Sequence, residues 1–173
     1  MNKTLSEIQA ELKVWTIYNF GKQKSIIPIM GMIEELGELT HAHLKELQGI
    51  RKSDYLADKK DAIGDFTIYL LNWFNCINKD ISIINLTTIS KNVTIGIIEN
   101  KVSAEDAIID LNILIGHTRD NSNQFKALGE DIISAICYYC NLYNINFNDT
   151  INEVWEQVKL RDWKLYPLNG KTE

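Results

Sequence analysis

Two short acidic clusters contain the residues whose types and spacing could do chemistry in this sequence. Residues 34–38 read EELGE, and residues 61–65 read DAIGD in the next helical stretch. Side chains three or four residues apart share a helix face, so the acids of each cluster lie side by side and repel one another. A divalent cation between the two helices would reverse that repulsion, and Mg²⁺ prefers carboxylate oxygens together with substrate phosphates. The acids are Glu34, Glu35, Glu38, Asp61 and Asp65.

The simpler interpretation of these clusters is that they are the solvated faces of two helices. Three features favour a site instead. The acids stand among apolar residues, and both clusters fall in mid-helix, where they could face each other across an antiparallel helix pair. Each cluster also contains a glycine, Gly37 or Gly64, inside a helical pattern. Such a glycine costs about 1 kcal/mol relative to alanine, which predicts that a second backbone or a ligand approaches closely there.

Helical periodicity predicts the elements that must position these acids. Only two prolines and nine glycines occur in 173 residues, too few for a fold with many tight turns. Thr4 or Ser6 is predicted to cap a first helix that ends near Phe20, and a second begins near Ile26 or Pro28. We predict one all-α domain over residues 1–173, an antiparallel helical bundle. The second helix ends near 47, and the remaining helices cover about 55–78, 104–116, 125–143 and 150–165, whereas 81–98 shows no clear period.

The two-part acidic motif resembles the signature of the MazG-like all-α nucleoside triphosphate pyrophosphohydrolases, relatives of the all-α dUTPases and dCTPases. Residues 38–51 (ELTHAHLKELQGIR) and 155–164 (WEQVKLRDWK) look closest to small phage-type members of that group. The resemblance covers about residues 5–80 and 124–166 and leaves 81–123 as an apparent insertion. It implies a bundle of the MazG-like type, assembled as a homodimer or homotetramer.

The resemblance also implies an activity, the Mg²⁺-dependent hydrolysis of a nucleoside or deoxynucleoside triphosphate to the monophosphate and pyrophosphate, with Mn²⁺ as a possible substitute. Glu34 is then an adjacent ligand or the base that orients water. This sequence departs from the family at Ala62, where a glutamate is usual, so Asp61 must replace that ligand or the site has one fewer. The implied metal ligands are Glu35, Glu38, Asp61 and Asp65.

Three uncharged residues are candidates for contacts with the nucleoside. Trp15 in the first helix offers a flat face for stacking on a base, although a tryptophan in a bundle is often a core residue. Tyr69 and Asn72 continue the acidic face of the third helix by one and two turns, where they could contact sugar or base. A half-buried tyrosine beside an exposed asparagine is the alternative interpretation.

Cationic side chains near the acids are candidates for contacts with phosphate. Lys59 and Lys60 directly precede the second acidic cluster, and Arg161 lies in the last predicted helix. Arg161 is the preferred candidate of its segment because a guanidinium can pair with two oxygens at once. Solvated surface lysines are the alternative for the other two.

Composition limits the classes of partner. The formal charge of −5 argues against binding polymeric nucleic acid, and no apolar run approaches the roughly 20 residues that span a membrane. Three cysteines and an amino terminus without an apolar segment predict a cytoplasmic protein. The alternative to an enzyme is a catalytically silent helical module that binds nucleotide or protein, with Ala62 marking the loss of a ligand.

Overall fold

All regular structure is helical within the described residues of this computed structural model, which are 2–50, 54–89, 93, 102–119 and 124–171. The all-α prediction is therefore confirmed for those residues. None of their helices is long and apolar enough to cross a membrane. In chain order the elements are α1 (Leu5–Phe20), α2 (Ile26–Gln48), α3 (Tyr55–Cys76), a 3₁₀ turn (Ile81–Ile83), α4 (Ala104–Thr118), α5 (Phe125–Leu142) and α6 (Phe147–Val158).

Local capping explains where most helices begin and end. Thr4, and not Ser6, caps α1, because its hydroxyl accepts the N–H of Glu7 while the Glu7 carboxylate accepts the N–H of Thr4. Ser103 caps α4 in the same way. Gly49 ends α2 with a φ of 63°, the left-handed conformation that glycine adopts without strain.

The last helix differs most from its prediction. It was expected over 150–165, whereas α6 covers Phe147–Val158 because the Asn146 side chain accepts the N–H of Asp149 and starts the helix earlier. Past the helix, the chain folds back in turns. The N–H of Asp162 donates to the carbonyl of Gly170 at 2.7 Å. This return fixes Arg161 outside a helix, in a position that periodicity could not predict.

Helix α3 is the centre of the bundle and packs against α1, α2 and α6. It runs antiparallel to α2, because Tyr69 near its end packs on Gly31, whereas Lys59 near its start pairs with Glu46. The contiguous buried core extends through all six α-helices. Its largest fully buried side chains on α3 include Leu70, Leu71, Trp73 and Phe74.

The predicted insertion over 81–123 adds α4 to this bundle. Helix α4 packs mainly against α5 and also contacts α2. The Tyr138 hydroxyl of α5 donates to the carbonyl of Val102 at 2.8 Å, which ties the start of α4 to α5. Residues 90–92, 94–101 and 120–123 of the segment lie outside the described residues.

A buried polar network joins α2 to α3, α4 and α5. Lys59 is fully buried and pairs with Glu46, and its ammonium lies 3.5 Å from the centre of the Tyr143 ring. The buried His43 ring places one nitrogen 3.0 Å from Glu105 and the other 3.1 Å from the hydroxyl of Tyr143. Lys59 therefore contacts neither phosphate nor bulk solvent, contrary to both sequence interpretations, and its role is to hold the helices together.

The close approach predicted at the glycines of the two acidic clusters is confirmed at Gly64, whereas at Gly37 no other described segment of the chain approaches. A Cβ atom at Gly64 would lie 2.4 Å from a methyl of Val154, so α6 approaches α3 closely there. At Gly37 no described atom stands within 4 Å of an added Cβ. Gly31 is the position on α2 where a close approach occurs, since its Cβ would lie 2.4 Å from the Tyr69 ring.

We expect Gly64→Ala to lower the free energy of unfolding by about 1–3 kcal/mol, because the added methyl overpacks the contact with Val154. Gly116→Ala is the matched control. Gly116 is a residue of α4 with no described neighbour within 4 Å of an added Cβ, so this change should stabilise the fold by about 1 kcal/mol. Urea unfolding followed by circular dichroism measures both. A Gly64→Ala protein as stable as wild type would contradict the close packing.

Candidate active site

The antiparallel pairing of α2 and α3 places Glu35 across from Asp65. Glu35 is only 8% exposed. Burial, followed by the negative charges of Asp65, Glu38, Glu34 and Asp61, raises its pKa to about 8. Burial is also the largest cause that raises the pKa of Asp65, to about 6, with the Asp61 charge adding to it and Arg161 opposing it. The pair therefore resists full ionisation at neutral pH unless a cation compensates it.

The other three predicted acids lie at the surface around this pair. Glu34, Glu38 and Asp61 are exposed. Asp61 lines a separate groove between α3 and α6, together with Lys60 and Glu153. Among the described residues no three His, Cys, Asp or Glu side chains are arranged to hold one metal ion. The structure thus brings Glu35 and Asp65 together, with Glu38 and Glu34 near by and Asp61 turned towards α6.

Ala62 occupies a buried position of α3 between the two acids of this cluster. Its side chain is fully buried, at the position where the resembled family has a glutamate. Asp61 stands one residue earlier, which rotates its side chain by about 100° around the helix. Asp61 and Asp65 are only about 40° apart around the helix, and it is the packing of α6 on α3 that leaves them lining different grooves.

The described carboxylates at this position fit one Mg²⁺ ion, but not a cage formed by protein ligands alone. Mg²⁺ is commonly held by one or two carboxylates, with waters and substrate phosphates completing the coordination. Glu35, which is buried, and Asp65, which is partly buried, supply such a pair, and their raised pKa values are those of carboxylates that lack a compensating charge. They could hold one ion, whereas a cage of four protein carboxylates is not formed by the described residues.

A cleft of about 410 Å³ opens beside these two acids. Helices α1, α2, α3 and the end of α6 with its following turn contribute to its walls, and its size is within the range of small-molecule sites. The wall combines the two acids and Arg161 with aromatic, amide and aliphatic side chains. The polar and aromatic lining residues are Trp15, Thr16, Phe20, Gln23, Glu35, Asp65, Tyr69, Asn72, Arg161 and Trp163.

Trp15 serves both as a core residue and as part of the cleft wall. Its indole N–H donates to the carbonyl of Arg161 at 3.0 Å, and its ring meets Trp155 edge-on at 6.3 Å and Phe20 at 5.6 Å. This hydrogen bond also anchors the turn after α6. The guanidinium of Arg161 consequently stands close enough to the acids to lower the pKa of Asp65 and of Tyr69.

Tyr69 and Asn72 both line the cleft, as their spacing from Asp65 predicted. Burial, followed by the charges of Glu35 and Glu34, raises the pKa of Tyr69. Asn72 is buried and not exposed, and its amide N–H donates to the Gln23 side-chain carbonyl at 2.9 Å. Of the predicted substrate contacts, the two lysines are outside this cleft, since Lys60 lines the groove with Asp61 and Lys59 is buried against Glu46.

Sequence reasoning missed Thr16, Gln23 and Trp163 as lining residues. Thr16 is 5% exposed, and its hydroxyl has no hydrogen-bond partner among the described residues. The sequence did contain a signal for Thr16, which continues the apolar stripe of Ile8 and Leu12 at a spacing of four. A polar side chain in a buried stripe needs a hydrogen-bond partner. No local signal marks Gln23 or Trp163, which reach the cleft through chain turns.

A second cavity, of about 480 Å³, lies between α4 and α5 and is mainly apolar. It contains Asp110 and Asp131 but no basic residue among those described. Val93 and Val102 line it and flank residues 94–101, which are outside the described part of the chain. The acid cleft is therefore the better candidate for a catalytic site.

Comparison of the chain with protein-family models, with curated proteins and with solved structures finds no match.

Proposed function

We propose that the protein hydrolyses a nucleoside or deoxynucleoside triphosphate to the monophosphate and pyrophosphate in the cleft beside Glu35 and Asp65, with Mg²⁺ or Mn²⁺ as cofactor. The observation that carries the proposal is the position of two facing carboxylates, buried Glu35 and partly buried Asp65, at the wall of an aromatic cleft that also contains Arg161. Like charges in such a place are unfavourable for folding alone, which favours a site that takes up a cation with its ligand. The resemblance of the two-part acidic motif to that of the MazG-like enzymes leads to the same expectation.

Each group has a role that its position supports. Glu35 and Asp65 hold the cation, and Arg161, opposite Asp65, pairs with phosphate oxygens. When bound, Mg²⁺ neutralises phosphate charge and lowers the pKa of a coordinated water. Glu34, exposed beside Glu35, orients the attacking water, and Glu38 completes the acidic surround. Water cleaves the phosphoanhydride bond between the α- and β-phosphates. Its oxygen is incorporated into the monophosphate or the pyrophosphate, and a proton is released.

The aromatic and amide part of the cleft takes the nucleoside. Trp15 is held in place by its hydrogen bond to the Arg161 carbonyl, so its ring is positioned before a ligand enters. Asn72 and Gln23 offer amide groups that can bind a base edge or a sugar hydroxyl. Tyr69 lies between these groups and the acids, where it can contact the sugar.

The test is incubation of the purified protein with each common NTP and dNTP in the presence of Mg²⁺, with assays for pyrophosphate and for monophosphate. Equimolar release of both products from at least one triphosphate is the expected result, and chelation of the metal should stop it. Release of inorganic phosphate alone would mean cleavage at a different bond. No turnover of any triphosphate would remove the proposed activity.

A catalytically silent nucleotide-binding module is the second candidate. Two observations favour it, namely the buried Ala62 in place of an acid and the lack of a three-acid metal group among the described residues. The same assay distinguishes the candidates when nucleotide binding is measured by calorimetry on the same sample. Binding without turnover would support the silent module, whereas binding with turnover would support the enzyme.

We expect Thr16→Val to weaken nucleotide binding about tenfold, because it removes a fully buried hydroxyl at the cleft that has no described hydrogen-bond partner, while keeping the side-chain shape. The folded protein should be as stable as wild type or slightly more stable. Thr150→Val is the control, since Thr150 is equally buried but lies in the groove with Lys60. Calorimetric titration with the best triphosphate provides the measurement. Unchanged affinity in Thr16→Val would exclude contact of that hydroxyl with the ligand.

A further inference from the structure

The chain after α6 is hydrogen-bonded to α1 at three successive residues. This segment, here called the C-terminal return, comprises residues 161–170. Each of its first three residues exchanges one hydrogen bond with a side chain of α1. The pairs are Trp15 with Arg161 at 3.0 Å, Tyr18 with Asp162 at 3.1 Å and Asn19 with Trp163 at 2.7 Å. Because Arg161 and Trp163 both line the acid cleft, these bonds attach part of the cleft wall to α1.

Asp162 closes the C-terminal return through its side chain and its backbone. The carboxylate accepts the N–H of Lys164 at 3.1 Å and the N–H of Leu165 at 2.9 Å, the pattern of an Asx turn. The Asp162 carbonyl accepts the N–H of Tyr166 at 2.8 Å, and the Asp162 N–H donates to the carbonyl of Gly170 at 2.7 Å. The return is therefore closed on the immediate neighbour of a cleft residue.

Gly170 contacts the side chains of both cleft residues in the return. It is buried and has a φ of 71°, which glycine adopts without strain. An added Cβ would lie 2.9 Å from the Cβ of Arg161 and 3.2 Å from Cε2 of Trp163. The Cβ of Arg161 is the root of its side chain, so it cannot yield to a larger residue unless the backbone that Trp15 holds also moves.

We propose that Asp162 and Gly170 are positioning residues, which hold the Arg161 guanidinium towards the phosphate groups of the bound ligand. The inference rests on the proposed function in one respect, because it takes the ligand of the cleft to be a polyphosphate. A guanidinium pairs with two oxygens at once only in a suitable orientation. Fixing the arginine before the ligand enters lowers the entropic cost of binding. Neither positioning residue lines the cleft itself.

The first test measures the affinity for inorganic pyrophosphate with Mg²⁺ by calorimetry, which reports phosphate binding without turnover. Gly170→Ala should raise the dissociation constant about tenfold, because the methyl displaces the Arg161 side chain. Arg161→Gln should raise it at least as much. The double variant should bind no more weakly than Arg161→Gln alone, since Gly170 acts through Arg161. Unchanged affinity in Gly170→Ala, or losses that multiply in the double variant, would overturn the proposal.

Gly49→Ala is the matched control for backbone strain. Gly49 also has a positive φ, of 63°, but no described neighbour stands within 4 Å of an added Cβ. The variant should keep the wild-type affinity for pyrophosphate, and circular dichroism checks that every variant is folded. A loss of affinity as large as that of Gly170→Ala would show that backbone strain alone is the cause, and would contradict the positioning role.

A second pair of variants tests Asp162 without adding bulk. Asp162→Ala removes the acceptor of the two turn N–H groups and should raise the dissociation constant about fivefold. Asp162→Asn keeps a side-chain carbonyl oxygen that can accept them and should retain most of the affinity. Loss of the negative charge would by itself strengthen pyrophosphate binding equally in both variants. Equal affinities in Asp162→Ala and Asp162→Asn would therefore remove Asp162 from the proposal.

The positioning role and the proposed activity fail in different ways. Pyrophosphate binding with the expected losses, but without turnover of any triphosphate, would remove the activity and support the positioning of Arg161. Turnover together with unchanged pyrophosphate affinity in Gly170→Ala would remove the positioning and leave the activity. A wild-type protein that does not bind pyrophosphate would overturn the positioning.

Discussion

The Glu35→Gln variant is expected to release pyrophosphate about 1,000-fold more slowly than wild type. The amide keeps the size of the side chain but cannot supply a negative charge to a cation. Asp65→Asn should have an effect of similar size, since the two carboxylates face each other across α2 and α3. Because each change removes a charge from a pair that burial partly or fully desolvates, the variants should fold at least as well as wild type without metal.

Two controls keep this result interpretable. Asp110→Asn changes an acid in the separate cavity between α4 and α5 and should retain full activity. Glu38→Gln tests an exposed acid near the pair and should cause a smaller loss than Glu35→Gln, because its charge is more strongly screened by solvent. Wild-type rates in both Glu35→Gln and Asp65→Asn would contradict the placement of the site.

The metal-free protein should lose stability as the pH rises from about 5 to about 8. Burial raises the pKa of Glu35 to about 8 from its ordinary value of 4.5, so the folded state holds a proton that the unfolded state has released. The unfolding free energy therefore falls across that interval and becomes constant above it. Asp65 contributes in the same direction below pH 6. We expect a loss of about 3 kcal/mol, or a Tm lower by roughly 5–10 °C.

Glu35→Gln should remove most of this slope, since the amide does not titrate. Glu34→Gln is the matched control, because the neighbouring carboxylate is exposed and its replacement should leave most of the slope in place. Thermal unfolding of the three proteins in chelator at pH 5 and pH 8 measures the difference. Added Mg²⁺ should raise the wild-type Tm more at pH 8 than at pH 5. An identical pH profile in wild type and Glu35→Gln would contradict the burial of this carboxylate.

Helix boundaries were largely predictable because they follow from local rules. The predictions for α2 and α5 agree with the structure within one residue at each end, and Thr4 caps α1 through the side-chain exchange with Glu7 that its spacing allows. The end of α6 was not predictable in this way. Its last turn is replaced by a chain return that depends on the hydrogen bond between Asp162 and Gly170.

The candidate site was only partly predictable. Spacing along α3 correctly placed Asp65, Tyr69 and Asn72 on one cleft. The same reasoning could not separate Asp61 from Asp65, because residues four apart are close in angle, and the packing of α6 decides which groove each faces. The different surroundings of Gly64 and Gly37 also depend on tertiary packing. Gly64 is a close contact because α6 lies against it, whereas no described segment lies against Gly37.

By itself the sequence determined the helical class, most helix ends and the presence of two acidic clusters, because periodicity and capping act within a few residues of one another. The tertiary structure decided which acids are buried. Glu34 and Glu35 are adjacent residues of the same type. The packing of α2 on α3 nevertheless leaves Glu34 at the surface and buries Glu35 opposite Asp65. The pKa values of the cleft carboxylates are set by burial and by charges on segments that are distant in the sequence. Both depend on tertiary contacts, which a local sequence pattern cannot predict.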